Sequence, residues 1–564
     1  MAKSNRPVGN LDYTQSTVVI IGAGISGMCM AIDLLRRNHQ NFIILEKGSS
    51  IGGTWSDNKY PGCCCDVWSS LYSYSFEQHA NWTREYPGQE EILTYLTGVA
   101  SKYNLYPHIR FNTTVKEARW DDDERRWKVQ VSVSGVKTSE FQSAYELSAN
   151  VLISGVGQLN LPRWPDLPGI DDFKGKSMHS ARWDWTYDWT GKRIAVIGNG
   201  ATAVQIIPEL VKTASQVTVY QRTPQWVITR MDMEIHPVQK ALLAVPFLRR
   251  CKRAIMMYLR EQSHEAIVKS DSAMSQDIRN MAKDHLQKGL PDKPELWETL
   301  TPQYPPGCRR IIASDDYYPA LNKKHVHLET RDIQRITESG IETVDGDQVE
   351  FDLIVYATGF RTVEFLHPIK MIGDEGRELA DVWDGGATAY YGVTVEEMPN
   401  FGLLYGPNTN LGHNSIILMI EAQSRYLAAL LDPIIRAKEK GRSLALKPRA
   451  EIVREFNKQL QARLATSSFA DPTCRSWYKT AEGRITNNWP GTVVEYQQEL
   501  SRVRYSDYMI EGDTNGEFFG QQKEIKIGHV EEVWPVSKGA VVVGLAAALA
   551  AGGFYFQGAR ARRR

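Results

Sequence analysis

Two glycine-rich turns with matching surroundings constrain the fold of this 564-residue chain more than any other feature. The first, GAGISG at residues 22–27, follows the β-branched run TVVII at residues 17–21 and precedes a helical pattern. The second, GNGATA at residues 198–203, follows a strand pattern at residues 194–197. A strand, a glycine turn and a helix in this order form the phosphate-binding unit of Rossmann-like domains. We therefore predict an α/β chain with two such dinucleotide-binding domains.

The first turn has the residues that a bound dinucleotide requires. Gly22 permits the tight turn, Gly24 lets the backbone approach a pyrophosphate, and Gly27 allows close packing of the following helix. The strand pattern at residues 42–45 ends in Glu46, a carboxylate that can accept hydrogen bonds from both ribose hydroxyls of an adenosine. The same carboxylate would repel a 2′-phosphate, so this site is predicted to hold FAD or NAD and not NADP.

In the second unit, the residue that follows the second strand carries a charge opposite to that of Glu46 in the first unit. Gly198, Gly200 and Ala203 occupy the motif positions, and Arg222 stands where Glu46 stands in the first unit. A guanidinium forms paired hydrogen bonds to phosphate oxygens, which favours NADPH. A solvated surface arginine is the alternative interpretation. Together the two turns predict a flavoprotein that binds one FAD and one NADPH.

The amino-acid composition limits the classes of partner that the protein is expected to bind. Lys and Arg number 66, as do Asp and Glu, so the net charge is zero and no basic surface for nucleic acid is indicated. The seven cysteines are an odd number, and three of them are adjacent at residues 63–65. We expect reduced thiols in the cytosol, and we predict neither a disulfide framework nor a metal site.

Two longer motifs point to a family. The bridge between the turns, FKGKSMHSARWD at residues 173–184, matches the fingerprint of the Baeyer–Villiger monooxygenases at Phe173, Gly175, His179, Trp183 and Asp184. The stretch GGTWSDNKYPGCCCD at residues 52–66 matches a second pattern of these class B flavoproteins. The sequence resembles this family over roughly residues 15–500. The resemblance implies an enzyme that uses FAD, NADPH and O2 to convert a ketone to an ester or lactone.

The resemblance also implies which residues act. In PPGCRR at residues 305–310, Arg310 matches the family's catalytic arginine, and Asp66 is expected to position its guanidinium. Reduced flavin reacts with oxygen to give a C4a-peroxide that attacks a ketone only as an anion, and a permanent cation can hold that anion. The implied FAD-binding residues are Thr54, Trp55 and Asp66, and the implied NADPH-binding residues are Arg222, Thr223 and Arg309, where Arg309 replaces the family's lysine.

The bridge itself is interpreted as a hinge and wall between the two domains. A short linker held by Trp and Phe packing moves when either domain moves. His179 is expected to hydrogen-bond backbone and to set the position of the linker, although a purely structural histidine explains it equally well. We do not assign His179 as an acid or base.

The order of the motifs predicts a discontinuous first domain. We place the FAD domain at residues 10–165 and 350–530 and the NADPH domain at residues 166–349, with a helical insertion at about residues 234–300. The strand pattern at residues 353–356, within FDLIVYATGF at residues 351–360, resembles the segment that returns the chain to the FAD domain.

Two other functions remain open at this point. The nearest is an N- or S-hydroxylating flavin monooxygenase, which Trp183, Asp66 and Arg310 together disfavour. The other is a flavin-binding redox sensor or scaffold without turnover, which does not require Arg310 beside Asp66.

The C-terminal sequence has a separate implication. Residues 539–556, GAVVVGLAAALAAGGFYF, carry no charge and precede the basic run GARARRR. Their length fits a bilayer-spanning helix, so we expect a tail anchor in an intracellular membrane with the catalytic body in the cytosol. A membrane anchor would favour a lipophilic ketone.

Overall fold

The computed structural model describes residues 13–135, 142–512, 516–519 and 524–528. The strands are β1 (Gln15–Ile21), β2 (Phe42–Leu45), β3 (Ile109–Arg110), β4 (Thr113–Asp121), β5 (Arg126–Val133), β6 (Ala144–Ser154), β7 (Lys176–His179), β8 (Arg193–Ile197), β9 (Gln216–Tyr220), β10 (Val227–Ile228), β11 (Ile312–Ala313), β12 (Val326–Glu329), β13 (Ile333–Ile336), β14 (Gly340–Thr343), β15 (Gln348–Glu350), β16 (Leu353–Tyr356), β17 (Lys370–Ile372), β18 (Phe401–Leu403), β19 (Ala445–Pro448), β20 (Arg502–Arg504), β21 (Tyr508–Glu511) and β22 (Glu524–Lys526). The α-helices are α1 (Ile25–Arg36), α2 (Thr54–Asp57), α3 (Gln89–Lys102), α4 (Ala201–Leu210), α5 (Pro237–Leu243), α6 (Pro246–Gln262), α7 (His264–Val268), α8 (Ala273–Gly289), α9 (Tyr317–Leu321), α10 (Leu379–Val382), α11 (Ile416–Glu439), α12 (Ala450–Ala465) and α13 (Val493–Glu499).

The larger sheet contains the first glycine turn. Its strand order is β17-β4-β5-β6-β1-β2-β3, and β18 also pairs with β6. The β-branched run of β1 is fully buried between parallel neighbours β2 and β6, as expected for a strand with both faces covered. Helix α11, most of which is buried, packs against α1 on one face of this sheet.

The second sheet contains the second glycine turn. It has five parallel strands in the order β12-β9-β8-β16-β7. The sheet brings together segments far apart in the chain, since Tyr356 of β16 pairs with both Ile197 of β8 and His179 of β7. The first half of the bridge motif is therefore an edge strand of this sheet. The domain bounds stay a prediction, but the pairing puts residues 353–356 with the second sheet.

The predicted helical insertion at about residues 234–300 consists of α5, α6, α7 and α8. It packs on the second sheet through α8, whose Leu286 shares a hydrophobic cluster with Val196 of β8 and Val217 of β9. Helix α6 reaches toward the first domain, where the buried side chain of Arg253 donates hydrogen bonds to the carbonyl oxygens of Ser70 and Ser73 at 2.6 and 3.0 Å. The insertion thus spans from one sheet to the loops of the other.

The membrane-spanning part of the predicted fold class is corrected. Within the four described ranges, no helix has both the length and the apolar character needed to cross a bilayer. The predicted span at residues 539–556 lies outside those ranges. The described residues form a mixed α/β fold, and the apolar composition that suggested a membrane span is a local property that does not establish a helix.

The prediction of reduced thiols was wrong for one pair. Cys308 and Cys474, separated by 166 residues, form a disulfide in a buried cluster with Trp226 and Tyr304. The remaining five cysteines, Cys29, Cys63, Cys64, Cys65 and Cys251, are free. Sequence spacing did not indicate the pair because the two cysteines approach only through the tertiary fold.

Candidate active site

The glycines of the first turn let its backbone pack closely against neighbouring loops, and the helix after it begins without a cap. Gly22 has a φ of 97°, and a Cβ added there would lie 2.7 Å from the carbonyl oxygen of Gly155. Gly24 faces Gly53, so that a Cβ on Gly24 would lie 3.4 Å from the Cα atom of Gly53. Helix α1 begins after Gly24 without a side-chain cap, which leaves its first amides for an anion. Thr54 and Trp55 begin α2 directly after Gly53, and Trp55 donates to Tyr72 Oη at 3.1 Å.

Glu46 is buried at the end of β2 and holds the turn in place. Its Oε2 accepts a hydrogen bond from the Ala23 amide at 2.8 Å, and its Oε1 accepts from the Gly48 amide at 2.7 Å. A carboxylate has about four lone-pair sites, so capacity remains for ribose hydroxyls. Glu46 was predicted to bind the ribose; its hydrogen bond from the Ala23 amide, which fixes the glycine turn, was not predicted.

The second turn is open at its centre. A Cβ at Gly198 would lie 2.4 Å from the carbonyl oxygen of Ala357, and Ala203 is fully buried in α4. A Cβ at Gly200 would meet no atom within 4 Å. The space above Gly200, at the start of α4, therefore fits a phosphate group.

Two arginines lie close together beside this turn. Arg222 is exposed, and the Arg309 guanidinium lies 5.1 Å from the ring centroid of Tyr304. Burial lowers the pKa of Arg309, and the nearby charge of Arg222 lowers it further. Neither arginine has an ion-pair partner among the described residues. Two neighbouring cations without a carboxylate form a suitable site for the 2′-phosphate of NADPH; Thr223 follows Arg222 directly, and its carbonyl accepts from Asn199 at 2.8 Å.

The motif at residues 52–66 connects the two domains. Tyr60 donates from its hydroxyl to Gln205 Oε1 of α4 at 2.9 Å, and Gln205 donates to the Cys64 carbonyl at 3.0 Å. A Cβ at Gly62, where φ is 77°, would lie 2.4 Å from the Gln205 carbonyl oxygen. The loop that ends in Asp66 is therefore docked on the helix that follows the second glycine turn.

Arg310 and Asp66 form the central ion pair of the site. Arg310 Nε and Nη2 donate to the two carboxylate oxygens of Asp66 at 2.7 and 2.8 Å, and Nη1 donates to the Leu411 carbonyl at 3.0 Å. The side chains of Arg310 and Asp66 are 25% and 30% exposed, so one side of the pair faces an opening. The bidentate geometry fixes the plane of the guanidinium.

The charge state of this pair follows from its surroundings. Burial would lower the pKa of Arg310, but the Asp66 carboxylate outweighs burial and the pKa is raised. Burial would raise the pKa of Asp66, but the charge and hydrogen bonds of Arg310, followed by the charge of Arg260, keep that pKa below its usual value. Both groups are therefore ionised at neutral pH, and neither is a proton donor.

Two tyrosines and a further arginine lie around the Arg310–Asp66 pair, and none of the three was predicted from the sequence. Burial raises the pKa of Tyr405 and raises that of Tyr478 to about 12, and both lie close enough to Arg310 for its charge to oppose that rise. Arg260 of α6 lies over the indole ring of Trp68 with its Cζ atom 4.4 Å from the ring centroid. Two further runs that resemble the family lie near this group: GPNTNLGHNS at residues 406–415 follows Tyr405, and SWYKTAEGRITNNWPG at residues 476–491 contains Tyr478.

The bridge motif has a structural histidine. His179 Nδ1 accepts from the Ala181 amide at 3.1 Å, and its ring lies 5.4 Å from that of Trp164. Burial, helped by the charge of Arg182, lowers the pKa of His179 to about 4. The imidazole is therefore neutral at physiological pH, as expected for a residue without an acid–base role.

The other bridge residues brace the edge strand. A Cβ at Gly175 would lie 2.5 Å from Phe173 Cζ, so only glycine allows the Phe173 ring to fold back there. Asp184 pairs with Lys176 at 2.5 Å, and that hydrogen bond, with those from Thr186, lowers the pKa of Asp184 to about 2. Trp183 packs edge-on against Trp189. The proposed hinge motion of the bridge stays a prediction.

Comparison with known proteins places this geometry in a family. A model of the family described as flavin-binding monooxygenase-like matches residues 14–369. An FAD-binding monooxygenase of Aspergillus niger is 56% identical over 98% of this chain and 90% of its own length. A Baeyer–Villiger monooxygenase of Streptomyces coelicolor is 40% identical over 87% of this chain and 92% of its own length. A closed crystal structure of cyclohexanone monooxygenase, 26% identical, superposes with a TM-score of 0.77 over 88% of this chain and 99% of that chain.

Two dinucleotide-binding turns, together with the ion pair between Arg310 and Asp66, define an NADPH-dependent flavoprotein monooxygenase. The chain belongs to the flavin-binding monooxygenase-like family and, within it, to the Baeyer–Villiger monooxygenases. The predicted cofactors, FAD and NADPH, are thereby confirmed, and a related structure named OTEMO is solved with FAD and NADP bound. The open space at Gly200 fits a phosphate of the second dinucleotide, and the uncapped first turn of α1 after Gly24 fits the pyrophosphate of the first.

Proposed function

We propose that the enzyme inserts one oxygen atom of O2 beside the carbonyl of a ketone, and that Arg310 and Asp66 are its catalytic pair. The balanced reaction takes ketone, O2, NADPH and a proton to ester or lactone, water and NADP⁺. FAD, when bound and reduced by NADPH, supplies the activated oxygen. The observation that supports the proposal is the bidentate contact of Arg310 with Asp66 at 2.7 and 2.8 Å, in which both side chains are partly exposed.

Arg310 supplies a permanent positive charge where negative charge develops. When a nucleophilic oxygen adds to a carbonyl, the former carbonyl oxygen becomes an oxyanion, and a preorganised cation stabilises it in a site shielded from water. Because the pKa of Arg310 is raised, the guanidinium does not give up its proton to that oxyanion or to the attacking oxygen.

Asp66 and Leu411 hold that charge in position. Two oxygens of Asp66 and the Leu411 carbonyl occupy three of the guanidinium's donors from fixed directions. A guanidinium has five N–H donors, so N–H groups remain for the reacting oxygens. We assign Asp66 as the residue that orients the guanidinium and not as an acid.

Arg222, Arg309 and Thr223 form the proposed site of the NADPH 2′-phosphate. Replacing Arg222 with glutamine is expected to raise the KM for NADPH by about 10–100-fold, because a hydrogen bond to a charged group contributes roughly 1.5–3 kcal/mol. The KM for NADH should not change, since NADH lacks the phosphate. Steady-state kinetics with both nucleotides measures this. Arg335→Gln, which removes an exposed arginine paired with Glu342, is the control. Equal effects on NADPH and NADH would contradict the assignment.

A product assay tests the function as a whole. FAD-loaded enzyme, NADPH and O2 are incubated with a panel of ketones, thioethers and amines, and products and NADPH consumption are measured. We expect ester or lactone with one NADPH consumed per product. Sulfoxide or hydroxylamine as the only product would support the hydroxylating class instead. The residues that line the pocket determine which ketones are accepted.

A further inference from the structure

The structure has a second arginine beside the catalytic pair. We propose that Arg260 binds a carboxylate group on the ketone substrate, so that the enzyme acts on keto acids. This inference rests on the proposed function and specifies its substrate class. Arg260 lies in the last turn of α6, within the helical insertion, and no sequence motif pointed to it.

The side chain of Arg260 is half-buried and has no balancing carboxylate among the described residues. Its Nε atom is buried and has no hydrogen-bond partner. Among the described residues no carboxylate forms an ion pair with it. Arg253, seven residues earlier in α6, instead donates to the carbonyl oxygens of Ser70 and Ser73 at 2.6 and 3.0 Å. The two arginines of α6 therefore differ, because Arg253 donates to protein carbonyl oxygens whereas the buried Nε atom of Arg260 has no hydrogen-bond partner among the described residues.

The position of Arg260 puts those donors next to the reacting centre. Its Cζ atom lies 4.4 Å from the ring centroid of Trp68, which is two residues after Asp66. Arg260 is close enough to Asp66 for its charge to lower the pKa of that carboxyl. Asp66 is nevertheless not its partner, because both carboxylate oxygens accept from Arg310. The two guanidinium groups thus have one carboxylate nearby, and the ion pair of that carboxylate with Arg310 leaves the positive charge of Arg260 unbalanced.

That excess charge points to an anionic ligand. A partly desolvated cation without a counter-ion is unfavourable until an anion binds to it. A guanidinium lying over an indole ring keeps its N–H edge available, and that edge matches the two oxygens of a carboxylate. Because Arg310 serves the carbonyl and Arg260 lies nearby, a carbonyl and a carboxylate in one small molecule would reach both.

Two other roles for Arg260 are possible and make different predictions. A cation in the last turn of a helix is favourable to the helix dipole, and such a role would affect all substrates equally. Binding of a cofactor phosphate would change the KM for NADPH. Recognition of a substrate carboxylate changes neither the KM for NADPH nor the turnover of neutral ketones.

Matched substrate pairs provide the test. The probes are keto acids of increasing length, including 4-acetylbenzoic acid, each compared with its methyl ester. We expect Arg260→Met to lower kcat/KM for the acids by about 10–100-fold, the range of a lost charged hydrogen bond, and to change that of the esters less than threefold. Arg260→Lys should lie between, since it keeps the charge but loses the planar fork. Arg250→Met, at an exposed arginine of the same helix, is the control.

Equilibrium binding gives a second measurement without turnover. Isothermal titration of the FAD-loaded enzyme with the acids should show affinity that falls with added salt, and Arg260→Met should abolish most of it. Equal losses for acids and esters, a changed KM for NADPH, or no binding of any keto acid by the parent enzyme would each overturn the inference. If no ketone of either kind yields an ester, the proposed function itself fails, whereas ester formation without acid discrimination refutes only the role of Arg260.

Discussion

Replacing Arg310 with alanine is expected to reduce ester formation by about 10²–10³-fold while NADPH still reduces the bound flavin. The substitution removes the fixed positive charge from the oxyanion and leaves the NADPH residues Arg222 and Arg309 in place. Hydride transfer precedes the step that needs this charge, so the two half-reactions should separate. Anaerobic stopped-flow absorbance measures flavin reduction, and product analysis under air measures oxygenation.

Controls distinguish catalysis from damage to the fold. Removing Arg310 leaves the half-buried Asp66 without its ion-pair partner, which is destabilising, so FAD content and the thermal midpoint are measured for each variant. Asp66→Asn keeps the shape and should retain more activity than Arg310→Ala, because the guanidinium remains. Ester yield from Arg310→Ala close to that of the parent enzyme would exclude the assignment of Arg310.

Breaking the Cys308–Cys474 disulfide is expected to lower the free energy of unfolding by about 2–5 kcal/mol. The pair closes a chain segment of 166 residues, so its loss frees a long loop in the unfolded state. The bond also anchors Cys308 directly before Arg309 and Arg310. Guanidinium unfolding of oxidised and reduced enzyme, and of the Cys308→Ala/Cys474→Ala double variant, measures the difference.

Thiol counting tests the disulfide directly. Denatured oxidised enzyme should react with a thiol reagent at five cysteines and, after reduction, at all seven. Cys251→Ser, at a cysteine outside the pair, is the control and should leave the unfolding midpoint unchanged. Seven reactive thiols before reduction would show that the bond does not form in the isolated enzyme.

Local patterns were read correctly where a short stretch determines its own structure. The strand patterns at residues 42–45 and 353–356 match β2 and β16 at both ends. The glycine turns follow β1 and β8 as their patterns indicated, and the helical pattern at about residues 234–300 corresponds to α5, α6, α7 and α8. Runs of β-branched residues, glycines at turn positions and helical periodicity each act over a few residues, so the sequence contains them directly.

Hydropathy and cysteine spacing predicted the structure less well than these local patterns did. The apolar run at residues 539–556 suggested a membrane span that no described helix supports. The odd number of cysteines suggested reduced thiols, yet Cys308 and Cys474 meet. Both inferences used composition, which does not specify where a segment lies or which side chains approach each other.

By itself the sequence determined two dinucleotide units, their opposite charge preferences, and Arg310 and Asp66 as candidates. Only the tertiary structure decided that Arg310 and Asp66, which are 244 residues apart, form a bidentate pair, and that α6 brings Arg260 beside them. The physical reason is the range of the interactions. Turn and strand preferences are local, whereas contacts between distant segments depend on how parallel strands and packed helices fold the chain back on itself.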